Sequence, residues 1–146
     1  MSRPELWFVD ATILSALIDY EPTSDDALRC LRFVESSWIT SEISVALCLA
    51  NLERRGLPLS QQWACMTRLL LVLRHGVGLR PLPIGTSLMP KGNGIGRLAP
   101  PVALQLQIAL HWRCRTLVSN DSALVEASRQ AGLVAYSLMR TTRAKG

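Results

Sequence analysis

Short apolar runs alternate along the whole chain with longer segments of helical periodicity. The runs predict strands at 6–9, 38–40, 79–84, 116–118 and 133–138. Between them, apolar residues recur every three or four positions, which predicts helices over about 12–19, 25–35, 42–55, 58–75, 100–110 and 122–130. Such alternation is typical of a parallel sheet with helices on both faces. We therefore expect an α/β fold with a central parallel sheet of about four or five strands.

Two local patterns refine this expectation. Pro81 and Pro83 place the strand 79–84 at an edge of the sheet, because proline cannot donate a hydrogen bond to a ladder. The helix over 58–75 carries an apolar stripe that we expect to face the core, formed by Trp63, Met66, Leu69, Leu70 and Leu73. Residues 85–99 hold five glycines or prolines and predict a loop.

Composition indicates one folded domain. The chain has 146 residues, of which 49% are hydrophobic and 18% charged, so it is long enough to bury a core and too apolar for disorder. No apolar run reaches the length of a membrane span, and the run at 6–9 is too short for a secretory signal. The four cysteines form no CxxC pair and predict buried, reduced thiols. We expect a cytoplasmic protein without membrane contact, with a domain over 1–139 and a flexible basic tail over 140–146.

The charges are distributed unevenly. The net charge is +5, and 14 of the 16 basic residues are arginine, a side chain whose planar guanidinium suits phosphate oxygens. Nine of the eleven carboxylates lie at or before Glu53, and the next one is Asp121. The intervening segment carries nine basic residues. This pattern favours a nucleic-acid partner, while a genome that prefers arginine codons is the alternative explanation.

Two acids hold equivalent places in the predicted sheet. Asp10 and Asp121 each come directly after a short apolar strand, so both should project from the same edge. An aspartate in such a place is also a common helix cap. Thr12, Ser119 and Asn120 lie beside them and are expected to support them by hydrogen bonds. Magnesium prefers such oxygen ligands, so the pair predicts an acidic pocket.

Three segments carry a resemblance to a known family. Residues 8–12 (FVDAT) resemble the opening of PIN-domain proteins, in particular the VapC-type toxin ribonucleases. Residues 39–44 (ITSEIS) are similar to their second strand and the cap of the next helix, and 117–121 (LVSND) with the following helix to their closing motif. The resemblance implies a single PIN-like domain, a Mg²⁺- or Mn²⁺-dependent endoribonuclease with four acids in one pocket, a homodimer and a small antitoxin partner.

Only two of the four acids can be carried over. The first falls on Asp10 and the fourth on Asp121, whereas the places of the second and third are held by Leu47 and Val102. No carboxylate stands between Glu53 and Asp121, so realignment cannot supply the third. Glu42 is a nearby substitute for the second, although its place in the first turn of a helix favours a structural role.

Because a hydrated cation needs several anionic ligands, the resemblance with two missing acids predicts a weakly held metal or none. Three hypotheses follow. In the first, the chain is a PIN-like protein with weak or lost nuclease activity that binds RNA or a partner protein. In the second, it is an active endoribonuclease built on Asp10 and Asp121, with or without Glu42. In the third, it is an α/β protein in which Asp10 and Asp121 are only caps. In the first case a base such as Arg97 is expected to pair with the acids.

Overall fold

A five-stranded parallel sheet forms the centre of the molecule. The structure is a computed structural model and describes residues 5–19, 23–33, 37–80 and 98–139. The strands are β1 (Leu6–Val9), β2 (Ser37–Ser41), β3 (Gly78–Arg80), β4 (Thr116–Val118) and β5 (Val134–Tyr136). The helices are α1 (Ala11–Ile18), α2 (Ser24–Phe33), α3 (Glu42–Arg54), α4 (Leu59–His75), α5 (Pro100–His111) and α6 (Ser122–Gln130). The α/β prediction is confirmed, while the predicted loop over 85–99 lies mostly, and the basic tail over 140–146 entirely, outside the described residues.

The strand order places β1 in the middle of the sheet. The order is β3-β2-β1-β4-β5, and every pairing is parallel. The chain therefore adds β2 and β3 on one side of β1, and then adds β4 and β5 on the other side of β1. In parallel sheets such a reversal opens a crevice at the carboxyl ends of the two strands. The predicted edge position of β3 is confirmed.

Helices cover both faces because side chains alternate along each strand. Trp7 and Val9 of β1 pack with α1, α3 and α4 in one apolar cluster. Phe8 packs with α5 and α6 in the other, together with Ile39 and Leu117 of the flanking strands. The four cysteines are free thiols, and three of them are buried. None of the helices in the described ranges combines the length and apolar character that a membrane span requires.

β5 forms the second edge of the sheet, and one of its outward-facing carbonyl oxygens accepts hydrogen bonds from a side chain. Val134 N donates to the backbone of Arg115, and Tyr136 O accepts from Ser119, so these residues face β4. Ala135, between them, turns its carbonyl away from β4. Arg129 of α6 donates to that oxygen through both Nε (3.3 Å) and Nη2 (3.0 Å).

The predicted core stripe of α4 is partly wrong. Leu69 is buried, but Trp63 and Leu70 are 67% and 62% exposed. Apolar residues lie on adjoining faces of this helix, and only the face that includes Cys65 and Leu69 is buried. The apolar residues of α4 cover more of the helix surface than the part that packs against the core. Sequence periodicity alone therefore assigned exposed residues to the buried face.

Adjacent leucines in α4 offer a test of this placement. Leu69→Ala should lower the free energy of unfolding by about 2–5 kcal/mol, because it leaves a cavity in the core. Leu70→Ala should change it by about 0.5 kcal/mol at most, because the side chain is 62% exposed. Urea unfolding of both variants measures the two values. Equal losses would contradict the structure and would mean that Leu70 is covered in solution.

Candidate functional site

Asp10 ends β1 and begins α1. Its side chain accepts from Ile13 N at 3.2 Å, which makes it the N-cap of α1. The residue is only 1% exposed. Both of its oxygens are engaged, since Oδ1 also accepts from the Thr12 hydroxyl at 2.6 Å and Oδ2 from the Ser119 hydroxyl at 2.5 Å. Asp10 is therefore a buried acceptor held by three protein donors.

Asp121 has the same role one strand away. It follows β4 and is the N-cap of α6, where Oδ1 accepts from Ala123 N at 3.0 Å and from Leu124 N at 3.3 Å. Unlike Asp10, it is only partly buried. No described residue donates a hydrogen bond to its Oδ2. Both aspartates therefore cap helices, and both also follow neighbouring strands at the same edge of the sheet.

The register of the sheet brings the two acids together. Val9 is paired with Val118 across β1 and β4, so the residues that follow, Asp10 and Ser119, lie side by side. The Ser119 hydroxyl donates to Asp10 and accepts from Asp121 N at 2.9 Å. One hydroxyl therefore links the two capping residues, and Asp10 and Asp121 do not lie far apart.

Burial sets the protonation of Asp10. It raises the pKa of Asp10 from 3.8 to about 6, against the opposing effect of the hydrogen bonds from Ser119, Thr12 and Ile13. The charge of Asp121 adds to the rise. A carboxyl with a pKa of about 6 is still mostly ionised at neutral pH. What limits Asp10 as a cation ligand is its burial and the three hydrogen bonds that it accepts.

Thr12 and Asn120 hold the rim of this site. Asn120 N donates to the Thr12 hydroxyl at 2.7 Å, and that hydroxyl donates onward to Asp10. The Asn120 side chain donates to Thr23 Oγ1 at 2.8 Å and accepts from Leu138 N at 3.2 Å. The predicted supporting residues Thr12, Ser119 and Asn120 are therefore all assembled around Asp10.

A glutamine that the sequence analysis missed lies under the site. Gln105 of α5 is 2% exposed, and its Oε1 accepts from Ala11 N at 2.9 Å and from the Ser44 hydroxyl at 2.7 Å. Ser44 is also 2.8 Å from Ser41 Oγ, and because its own proton goes to Gln105, Ser41 is the donor there. A single amide oxygen thus joins α1, α3 and α5. The only sequence signal was a pair of glutamines, Gln105 and Gln107, in a helix that is otherwise apolar up to its last residue, His111.

The remaining predicted residues form no hydrogen bond or ion pair with the two acids in the described part of the chain. Glu42 is exposed in the first turn of α3, and no hydrogen bond or ion pair between described residues joins it to them. Leu47 and Val102 pack, partly buried, against opposite apolar clusters. The expected basic partner is absent from the described residues around Asp10, whose donors are two hydroxyls and one amide; Arg97 itself lies outside those residues.

The described residues do not fit a tightly held Mg²⁺. They contain no group of three or more His, Cys, Asp or Glu side chains placed to hold a metal ion. Of the two carboxylates at this edge, the one on Asp10 has no oxygen without a protein donor. Oδ2 of Asp10 accepts one hydrogen bond and keeps one lone pair, on a residue that is 1% exposed. A cation would therefore rely mainly on Asp121.

A cleft of about 540 Å³ adjoins the acids. It lies between α1 and the end of α3, and Thr12 and Asn120 are part of its wall. Its lining mixes apolar side chains with amides, hydroxyls and two arginines. No sequence pattern predicted it, because its described lining residues come from five separate segments of the chain.

Comparison with known proteins identifies the fold. No family model matches the sequence, and no curated protein matches it. Among solved structures, VapC20 of Mycobacterium tuberculosis, a toxin that cleaves the sarcin-ricin loop, superposes with a TM-score of 0.65 at 16% identity over 88% of this chain and 96% of that one. VapBC2 of Rickettsia felis, bound to a promoter DNA fragment, gives a TM-score of 0.65 at 13% identity, with 90% and 98% covered.

A third neighbour extends the comparison beyond toxins. The PIN-domain endonuclease Utp24 gives a TM-score of 0.54 at 14% identity, over 94% of this chain and 87% of that chain. The chain therefore has a PIN-like fold of the VapC type, as the sequence motifs predicted. At these identities the likeness concerns the fold, and the chemistry has to be argued from the residues present.

Proposed function

We propose that this PIN-fold protein has weak or lost metal-dependent endoribonuclease activity and acts by binding RNA. A divalent ion, Mg²⁺ or Mn²⁺, is held weakly or not at all. RNA is held through the arginine-rich segment between Glu53 and Asp121. The acidic edge of the sheet, built on Asp10 and Asp121 with Thr12, Ser119 and Asn120 as structural support, is then what remains of the metal site. Glu42 contributes a negative charge at the exposed first turn of α3.

The state of Asp10 carries this proposal. Its carboxylate is 1% exposed, accepts three hydrogen bonds, and has a pKa raised to about 6. Catalysis by a metal ion needs anionic oxygens that are free to coordinate it. Here the oxygens hold α1 and β4 in place instead, and the third and second acids of the family pattern are replaced by Val102 and Leu47.

One observation favours the alternative, an active endoribonuclease of a toxin–antitoxin pair with a reduced site. Asp121 is partly exposed, has an oxygen with no described donor, and lies close enough to Asp10 to raise its pKa. Substrate phosphates supply further anionic oxygens, so a cation bridging Asp121 and RNA is the form that such activity would take.

The basic segment and the structural neighbours support the partners that we propose. The chain has no carboxylate between Glu53 and Asp121 and carries nine basic residues there, which suits RNA phosphates. The VapBC2 neighbour is bound to DNA, and this supports nucleic-acid binding in proteins of this shape. An antitoxin-like protein partner and a homodimer belong to the same proposal, as does a cytoplasmic location.

Titration with Mn²⁺ tests the metal part of the proposal. The melting temperature of the wild type should stay unchanged up to millimolar Mn²⁺, because the site offers too few free ligands. The variant Leu47→Glu/Val102→Asp restores the two missing acids and should gain a saturable rise; binding at 100 times Kd stabilises by about 2.7 kcal/mol. Cleavage of single-stranded RNA is measured in parallel.

Asp121→Asn is the matched control. A Mn²⁺-dependent rise in the wild type that Asp121→Asn abolishes, together with RNA cleavage, would replace our proposal with the active-nuclease alternative. If the restored variant also fails to respond, the two positions do not face the acids, and the mapping of the family pattern onto Leu47 and Val102 is wrong.

A further inference from the structure

We propose that the cleft beside the acids binds one unpaired nucleotide of a single-stranded RNA, with its phosphate on Arg54. This inference rests on the proposed RNA-binding function and deepens it, since it names where the strand is held. The cleft is made from α1, the last two turns of α3, and the segments around Asn120 and Met139.

The size and lining of the cleft suit a nucleotide. Its volume of about 540 Å³ falls within the range of about 300–1,000 Å³ that small-ligand pockets occupy. Its apolar lining residues are Ile18, Cys48, Leu52 and Met139. The first three are buried, and Met139 is 59% exposed. Hydroxyls and amides stand around this surface, so a flat heteroaromatic ring would meet apolar atoms below and hydrogen-bonding groups at its edge.

The amides supply donors and acceptors together. Asn51 lies one helical turn after Cys48 and is only partly buried. Its Oδ1 accepts from Arg54 Nη2 at 2.5 Å, which leaves its NH₂ group to donate. Asn120 keeps one N–H and one lone pair beyond the two bonds it makes. Base edges present donors and acceptors side by side, and amide side chains match them.

The charges at the rim favour phosphate. Asp19 forms an ion pair with Arg55, so the one carboxylate among the described lining residues is already neutralised by a cation. Arg54, adjacent to it, is exposed and pairs with no described carboxylate. Among the described residues, one guanidinium without a carboxylate partner therefore lies at the rim of the cleft, and it can donate two parallel hydrogen bonds to a phosphate.

The position of the cleft connects it with the acids. Thr12 contributes to the cleft wall, and the same hydroxyl donates to Asp10. Asn120 likewise lines the cleft and directly precedes Asp121. A nucleotide held here would therefore lie next to the acidic edge of the sheet. A protein side chain could fill the apolar part, but would leave Arg54 without a matching anion unless it were itself acidic.

Fluorescence anisotropy with short labelled oligouridylate, oligoadenylate and oligocytidylate tests the proposal. EDTA is present so that no cleavage occurs, and DNA strands of the same sequences are measured beside them. We expect the wild type to bind RNA at low salt. Arg54→Ala and Asn51→Leu should each weaken the Kd by about tenfold, the loss expected for one hydrogen bond to a charged group.

Arg74→Ala is the matched control. Arg74 is exposed in the last turn of α4, outside the cleft, and its removal changes the net charge by the same amount, so we expect less than a threefold effect. Equal losses in Arg54→Ala and Arg74→Ala would overturn the cleft assignment and leave RNA binding intact. If the wild type binds no oligonucleotide at low salt, both the cleft assignment and the RNA-binding function fail, and an acidic peptide becomes the ligand to test.

Discussion

The free energy of unfolding should fall by about 3 kcal/mol as the pH rises from about 4 to about 7, because of Asp10. The pKa of this carboxyl is about 6 in the folded protein, against 3.8 as its ordinary value, and each unit corresponds to about 1.4 kcal/mol. Between these values the folded state binds more protons than the unfolded chain, so stability is fully present below about pH 4 and is lost as the pH passes through about 6.

Urea unfolding at a series of pH values measures this loss, and the variant Asp10→Asn isolates it. Asparagine keeps an acceptor for Ile13 and Thr12 but cannot ionise, so its stability should lack the decline between pH 4 and 7. Asp25→Asn removes an exposed carboxylate and should keep the wild-type slope. If Asp10→Asn declines as steeply as the wild type, Asp10 is ionised in the folded protein throughout this range, which would weaken our argument against metal binding.

Gln105→Leu should lower the free energy of unfolding by about 2–4 kcal/mol. The substitution fits the apolar surroundings but removes the oxygen that Ala11 N and Ser44 Oγ share. Each buried donor left without an acceptor costs about 1–3 kcal/mol. For a domain of this size, a loss of 1 kcal/mol lowers the melting temperature by about 2–4 °C, so thermal unfolding gives a clear readout.

Gln107→Leu is the control for this prediction, since it makes the same change two positions along α5 at a partly exposed residue. Its effect should stay near about 0.5 kcal/mol. Gln105→Glu retains the acceptor and should be tolerated best at low pH, where the added carboxyl is neutral. Similar stabilities for Gln105→Leu and Gln107→Leu would show that the amide oxygen does not join the three helices as described.

The sequence predicted those residues of the site whose positions follow from where a strand ends. Asp10 and Asp121 follow short apolar strands, and in a parallel sheet the ends of neighbouring strands meet. Ser119 was predicted for the same reason, since it is adjacent to Asp121 in the chain. These predictions needed only local patterns and the general geometry of parallel sheets.

Features that depend on three-dimensional packing were not predictable from such patterns. Gln105 is 94 residues from the backbone amide it accepts from, and a glutamine in an apolar helix gives no sign of which amide it will reach. Trp63 was assigned to the core because α4 is apolar on more than one face, and only the packing against α1 decides which face is buried. The cleft combines residues from α1, α3 and other separate segments. Its existence therefore could not be predicted from the pattern of any one segment.

Arg129 has a consequence for how molecules of this protein meet at high concentration. An open edge strand offers its outer backbone groups as a template on which a second strand can grow, the first step towards sheet extension and fibres. On β5 the outward carbonyl of Ala135 already holds the guanidinium of Arg129, so an incoming strand would have to displace a charged donor before its first backbone bond could form. We therefore expect Arg129 to make extension of the sheet from β5 into a second molecule less favourable.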